Sequence, residues 1–237
     1  MSHPQLRHEP FNLRGFFVDL LKNTGYTLAA DTTRTFTFAS SFDGLNAPAV
    51  AVQAIFGPHS TRYRHVFGSE SVSCPVLLEM LSDHAPEHLF PDASCTEEAA
   101  IRGPCLTHRG RICKVPAVAL DCYMASFVCK PYSTSNAARR TEDPIKKPGA
   151  SPSCDTFYMT VRHIKNHRPA FFILENVTGM LQKRSDSEQS TPLDFCLDDQ
   201  EHGLRSIPGY TVGWMSARGT DGSLPTTRTR VFIFGAR

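Results

Sequence analysis

Apolar residues recur along this chain at two spacings, and their order predicts an alternation of strands and helices. From Thr35 to Phe42 they alternate with small polar residues, as in a half-buried strand, until Asp43-Gly44 breaks the pattern. Pro48 suits the first turn of a helix that reaches about Phe56. A strand over His65–Ser69 ends in Glu70, a helix is expected over Pro75–Leu81, and Leu89-Phe-Pro-Asp92 reads as a short strand closing on a second acid. Residues 93–116 have no clear period and read as a connecting helix and loop. An apolar strand beginning at Leu120 delivers Cys129 into a turn at Pro131. Helical spacing returns over Phe157–His167, and the run from Ala170 reads as a buried parallel strand ending in Glu175-Asn176. Ser185–Gln200 reads as an acidic, Ser-rich surface loop, and Tyr210–Ala217 with Arg230–Gly235 as an edge hairpin. Upstream, Phe16, Phe17, Leu20 and Leu21 line one face of a helix within Phe11–Leu28.

Composition narrows the class without naming a chemistry. The 237 residues suffice for one large α/β domain or two small ones, and 41% hydrophobic with 20% charged residues is ordinary for a globular chain. No apolar run approaches the roughly 18 residues of a membrane span, so no membrane partner is expected. A net charge of +2 does not by itself mark a nucleic-acid binder. Eight cysteines without a Cys-x-x-Cys pair argue against a zinc finger. Cys95, Cys105 and Cys113 are too widely spaced for a standard site, and no metal is expected. The start, Met-Ser-His-Pro-Gln, lacks a secretory signal, so reduced thiols in the cytosol or nucleus are expected.

Three stretches carry candidate chemistry. The Asp43-Gly44 turn between a strand and a helix lets backbone approach a cofactor, and Glu70 follows at roughly the separation at which an acid meets ribose hydroxyls in dinucleotide-binding sheets. The alternative for Glu70 is a surface residue at a strand end. Cys129 at the mouth of a strand is either a nucleophile or, as most cysteines are, a small hydrophobe. Arg139, Arg140, Lys146 and Lys147 lie in a proline-broken stretch that is either a solvated loop or a phosphate contact.

Taken in order, four segments resemble the cytosine-5 DNA methyltransferase family. Phe42-Asp-Gly44-Leu-Asn46 is similar to its cofactor turn, Phe-x-Gly-x-Gly. Ser126-Phe-Val-Cys129-Lys-Pro131-Tyr-Ser133 is similar to its Pro-Cys-Gln segment. Glu175-Asn176-Val177 matches its Glu-Asn-Val tripeptide, and the stretch from Leu224 through Arg228-Thr-Arg230 to Gly235 resembles its Pro-Gln-x-Arg-x-Arg strand. The resemblance covers roughly residues 35–237. It implies a Rossmann-like class I α/β fold, a mostly parallel sheet with helices on both faces, in residues 34–237, preceded by an extension or helix over 1–33.

The resemblance further implies transfer of a methyl group from S-adenosyl-L-methionine to cytosine C5 of DNA through a covalent Cys129 adduct. Glu175 would hold the cytosine edge, with Arg230 and Arg228 assisting. Phe42, Gly44, Asn46, Glu70 and Asp92 would form the cofactor site. The base would be flipped from the duplex, and a nuclear location would follow from that substrate, with the cytoplasm as the alternative. RNA is the alternative substrate, and an inactive binding module the alternative role. The chain departs from the family at Asn46 for the second glycine, Val128 for proline, Lys130 for glutamine and Thr226 for glutamine. Relatives continue into a target-recognition domain and a final helix, which here would come from a missing segment or a partner.

Overall fold

Strand β1 (Phe36–Ser41) is an interior strand of a seven-stranded sheet, paired on both sides. This computed structural model describes residues 34–44, 46–56, 60–71, 85–130, 132–133, 149, 152–184, 188–222 and 226–237. The helices expected over Phe11–Leu28 and Pro75–Leu81 lie outside these residues, as do Arg139, Arg140, Lys146 and Lys147. Helix α1 (Ala47–Phe56) follows β1, then come β2 (Tyr63–Ser69) and β3 (His88–Phe90). Further on come β6 (Cys122–Ala125), helix α2 (Pro152–His167) and β7 (Phe171–Val177). The sheet is completed by β8 (Thr211–Arg218) and β9 (Thr229–Ala236).

The strand order is β3-β2-β1-β6-β7-β9-β8. Strands β3, β2, β1, β6 and β7 pair in parallel, while β9 runs antiparallel between β7 and β8. This is the expected mostly parallel α/β sheet, with the expected hairpin at its edge.

Alternation within the strands divides the core between two faces. Cys122 and Met124 of β6 join Phe36, Phe38 and Phe171 against Ala49 and Val52 of α1. Tyr123 and Ala125 point the other way, onto Phe157, Val161 and Ile164 of α2. Full burial of each such large side chain is worth about 1.5–3 kcal/mol, so the short strands draw their stability from both layers. One close approach constrains the edge: Gly235 pairs with Phe172, and a Cβ there would overlap the Phe172 ring. Among the described residues no helix is long and apolar enough to cross a membrane.

Two expectations are corrected. Ser185–Gln200 contains helix α3 (Pro192–Asp198) rather than only a loop. Thr191 caps it, its hydroxyl accepting from Asp194 N–H at 3.2 Å while Asp194 accepts from Thr191 N–H at 2.7 Å. Leu193, Cys196 and Leu197 are buried on one side, so the Thr-Pro-x-Asp start and helical spacing override the acidic, Ser-rich composition. Residues 93–116 hold one 3-10 turn (Ala93–Thr96), but the rest is an antiparallel hairpin of β4 (Arg102–Cys105) and β5 (Arg111–Lys114). Four-residue strands rich in exposed Arg and Lys are too short and too polar to display a period.

Candidate active site

Because β1 is followed on one side by β2 and bordered on the other by β6, the chain reverses its winding direction between β1 and β6. In open α/β sheets a crevice forms outside the carboxyl ends of the strands at such a point. Backbone hydrogen bonds continue past the strand ends and hold this edge together. Ser126 N–H donates to Ser41 C=O at 3.1 Å, Phe42 N–H to Ser69 C=O at 2.9 Å, and Glu70 N–H to Phe90 C=O at 3.0 Å. The residues following β6, β1, β2 and β3 are therefore lined up side by side.

The turn after β1 is backbone-strained. Phe42, Gly44 and Asn46 adopt left-handed φ values of 59°, 59° and 61°. Left-handed geometry suits glycine and is tolerated by asparagine, whereas a bulky Phe there costs of order 1–3 kcal/mol. Gly44 has open space where a Cβ would stand, and its N–H donates to Glu70 Oε2 at 2.9 Å. Asn46 is buried, its Nδ2 lying 3.5 Å from His65 Nδ1, and Ser40 Oγ lies 2.9 Å from His65 Nε2. Burial pushes His65 down to about 3, so the ring is neutral.

Ser40, Asp43, Gly44, Asn46, His65 and Glu70 line a shallow recess with Pro86 and Leu89. Asp43 faces into it with Oδ2 buried and unmatched by any donor among the described residues. Burial raises the Asp43 carboxyl to about 7; the Ser40 hydroxyl and backbone N–H oppose the rise, and the Glu70 charge adds to it. Asp92 stands at the carboxyl end of β3, exposed, where its Oδ1 accepts from Ser94 N–H at 2.9 Å. Thus Gly44 and Glu70 are in direct contact and Phe42 and Asn46 belong to the same turn, while Phe42 and Asp92 do not line the recess.

The neighbouring strands supply the other candidates. Cys129 is exposed four residues beyond β6, and its carbonyl accepts from the N–H groups of Tyr132 and Ser133 at 2.9 Å each. In the β7/β9 ladder Glu175 opposes Phe232 and Val177 opposes Arg230, so Glu175 and Arg230 are diagonal neighbours on one face. They form an ion pair, Arg230 Nε to Glu175 Oε1, at 2.5 Å. Burial lifts the Glu175 carboxyl above the ordinary carboxylate range. A Ser126 hydrogen bond and the Arg228 charge pull it back. Arg228 itself is exposed, one residue before β9.

Asn176 is the positioning group that motif reading left without a role. It is 1% exposed, and its Nδ2 donates to Phe127 C=O at 2.8 Å while its Oδ1 accepts from Val177 N–H at 2.8 Å. It therefore ties the strand carrying Glu175 to the segment carrying Cys129. Thr156 of α2 holds the same segment from the other side, its hydroxyl accepting from Val128 N–H at 3.1 Å. Strand alternation was the available signal for Asn176, since it must face opposite to Glu175.

No curated protein matches this chain. Among solved structures it is similar to a candidate DNA modification methyltransferase encoded within an E. coli prophage. The TM-score is 0.51 at 16% identity, covering 86% of this chain and 47% of that one. It is also similar to the Dnmt2 methyltransferase of S. pombe, with a TM-score of 0.48 and 13% identity over 86% and 50%. For the EhMeth methyltransferase of Entamoeba histolytica the values are 0.47 and 12% over 86% and 53%. The chain spans about half the length of these structures, and the first of them supports the fold. A family model described as C-5 cytosine-specific DNA methylase matches residues 106–237, more than half of the sequence and the part that holds Cys129, Glu175, Arg228 and Arg230. This chain belongs to the C-5 cytosine-specific DNA methylase family.

Proposed function

We propose that the chain is the catalytic core of an S-adenosylmethionine-dependent DNA cytosine-5 methyltransferase acting through a Cys129 adduct. The observation that carries this reading is the Asn176 bridge, which fastens an exposed cysteine segment to the strand presenting the Glu175–Arg230 pair. A pyrimidine C5 is a weak nucleophile until a thiolate adds at C6. The Cys129 sulfur bonds to C6, and the displaced electron pair moves toward C5 and the ring nitrogen N3. Glu175, in its protonated form, donates to N3 as charge builds there, which requires a carboxyl raised by burial. Arg230 orients Glu175 and offers its remaining N–H groups to the ring carbonyl. After C5 takes the methyl group, loss of the C5 proton returns the electron pair that expels the Cys129 thiolate.

The residues at the β1 turn fit the cofactor in donor character. A buried carboxyl oxygen with no donor among the described residues suits an ammonium, the open face at Gly44 lets a ligand approach the backbone, and the acid at the end of β2 suits a ribose diol. Asp43, Gly44 and Glu70 would hold S-adenosylmethionine, with Asp92 reaching its base. When bound, it supplies an electrophilic methyl group on a sulfonium. The target base must leave the stack, at a cost of a few kcal/mol, so contacts to the nucleic-acid backbone accompany the reaction.

Covalent trapping tests the reading. A duplex carrying 5-fluorocytosine has no C5 proton to release, so the adduct accumulates. With S-adenosylmethionine present, the expected result is a denaturant-resistant complex that the Cys129→Ser variant does not form. Absence of any adduct overturns the covalent mechanism, and an adduct with RNA but not DNA overturns the substrate.

A further inference from the structure

The β4–β5 hairpin packs against β3 on the outer side of the sheet, and the fold brings four ligand-type side chains together there. The geometry points to a structural zinc site formed by His88, Cys105, His108 and Cys113, an assignment independent of the methyltransferase reading. Their ligand atoms all lie within 4.8 Å of one another. Cys105 Sγ is 3.2 Å from His108 Nδ1 and 3.8 Å from His88 Nδ1, and Cys113 Sγ is 3.5 Å from His108 Nδ1. A tetrahedral zinc with bonds of about 2.3 Å to sulfur and about 2.0–2.1 Å to nitrogen separates its ligand atoms by roughly 3.3–3.8 Å. These three sulfur–nitrogen distances fall within about a tenth of an ångström of that range.

The elements explain how residues so far apart in sequence converge. His88 opens β3, Cys105 closes β4, Cys113 lies within β5, and His108 sits in the connecting turn. That turn is tight: Gly110 N–H donates to Cys105 C=O at 2.8 Å, and Arg109 and Gly110 are both left-handed. Cys105-x-x-His108 thus places two ligands on one turn at the separation common in zinc sites. A histidine in the second place hides the pair from a search for Cys-x-x-Cys, and the other two ligands arrive from separate strands.

The donor set identifies the metal class. Two thiolates and two imidazoles arranged tetrahedrally suit zinc, and the two negative charges balance a divalent ion. Arg102, Arg109, Arg111 and Lys114 lie on the same hairpin. With four protein ligands the site is closed, which makes it structural rather than catalytic. There is also something for it to stabilise. An isolated two-stranded hairpin is marginal in water, and this one meets β3 through Leu106 N–H to Leu89 C=O at 2.7 Å and Leu89 N–H to the Thr107 hydroxyl at 3.1 Å. A metal would clamp the hairpin to the strand whose end carries Asp92.

Elemental analysis of the full chain, purified under reducing conditions from zinc-supplemented medium, tests the assignment. The expected content is about one zinc per chain. Cobalt exchanged into the site should give the intense absorption of tetrahedral cobalt with thiolate charge transfer. Cys113→Ser and His108→Ala should lose most of the metal. Cys95→Ser, a nearby cysteine outside the cluster, should retain it. Cys105 is fully buried and its replacement alone could unfold the hairpin, so the half-exposed Cys113 and His108 decide the matter. A chelator should lower the melting temperature of the parent protein but not of Cys113→Ser. Zinc-free protein, an octahedral cobalt spectrum, a Cys105–Cys113 disulfide in the purified chain, or equal metal loss in Cys95→Ser would each overturn it.

Discussion

Glu175 meets a guanidinium at 2.5 Å, whereas Asp43, on the same edge of the sheet, keeps one buried carboxylate oxygen with no donor among the described residues. The backbone follows the same division. Glu175 and Asn176 lie within the regular ladder of β7, while Phe42, Gly44 and Asn46 all take left-handed φ in a five-residue turn. One side of the crevice is assembled by the protein's own groups, paired and pinned. The other side holds strain and a buried carboxyl oxygen with no donor among the described residues, features that persist where an occupant repays them. On the proposed reading, a site that binds and releases a cationic cofactor gains from leaving its acid unpaired, and one that aims a nucleophile gains from fixed geometry.

The largest expected effect tests the paired side. Glu175→Gln keeps the shape but cannot deliver a proton to the ring, and methyl transfer in a single turnover should fall by about 10²–10⁴-fold. A fall smaller than tenfold would remove Glu175 from the chemistry and leave it as a partner for Arg230. Asn176→Ala comes next. It strands the Phe127 carbonyl and the Val177 N–H in a buried place, so denaturant unfolding should show a loss of about 2 kcal/mol. Adduct formation should slow with S-adenosylmethionine affinity unchanged. Equal losses in both would mean that the two sides of the crevice are not independent.

How far these features were legible follows from how local they are. Each strand that pairs into the main sheet shows its period within a few residues, and Gly44, Cys129, Glu175 and Arg230 sit in short motifs with a fixed order. The sheet order and the crevice follow from those elements. Asp43's role was not legible, because its environment depends on Ser40, His65 and Glu70 arriving from two strands. Helix α3 was hidden by its acidic composition although Thr191 and Asp194 form a capping box, a pattern that spacing rather than composition reveals. The four groups at the hairpin were hidden for a third reason: only Cys105 and His108 are neighbours in sequence, and β-pairing supplies the rest.

The unpaired side has its own pH signature. With its folded value raised to about 7, Asp43 holds a proton in the native state that the unfolded chain releases above about pH 4. Its contribution to stability is therefore full below about pH 4 and lost as pH rises through 7. Three units would be worth about 4 kcal/mol, but the residue is only half-buried, and solvent reduces this to about 2 kcal/mol. The stability of Asp43→Asn relative to the parent should rise by that amount between pH 4 and 8 in paired unfolding titrations. His65 titrates in both proteins and cancels in the difference. A flat difference would show that water or an unassigned group already satisfies the carboxylate, and the contrast with Glu175 would disappear.

Asn46→Gly probes the same turn with the smallest expected change in stability. Glycine relieves the left-handed strain, worth about 1 kcal/mol, but it also frees the unfolded chain by about 0.5–1 kcal/mol. Folding stability should therefore change by less than about 1 kcal/mol. Cofactor affinity is the sharper readout. The Asn46 side chain lines the recess that Asp43 faces, and removing it enlarges the space beside Gly44. Calorimetry should show S-adenosylmethionine binding several-fold tighter, since glycine at this position is what the family's turn carries. Unchanged affinity would place the cofactor away from Asn46, and weaker binding would mean that the asparagine organises the turn, making this side of the crevice as pre-assembled as the other.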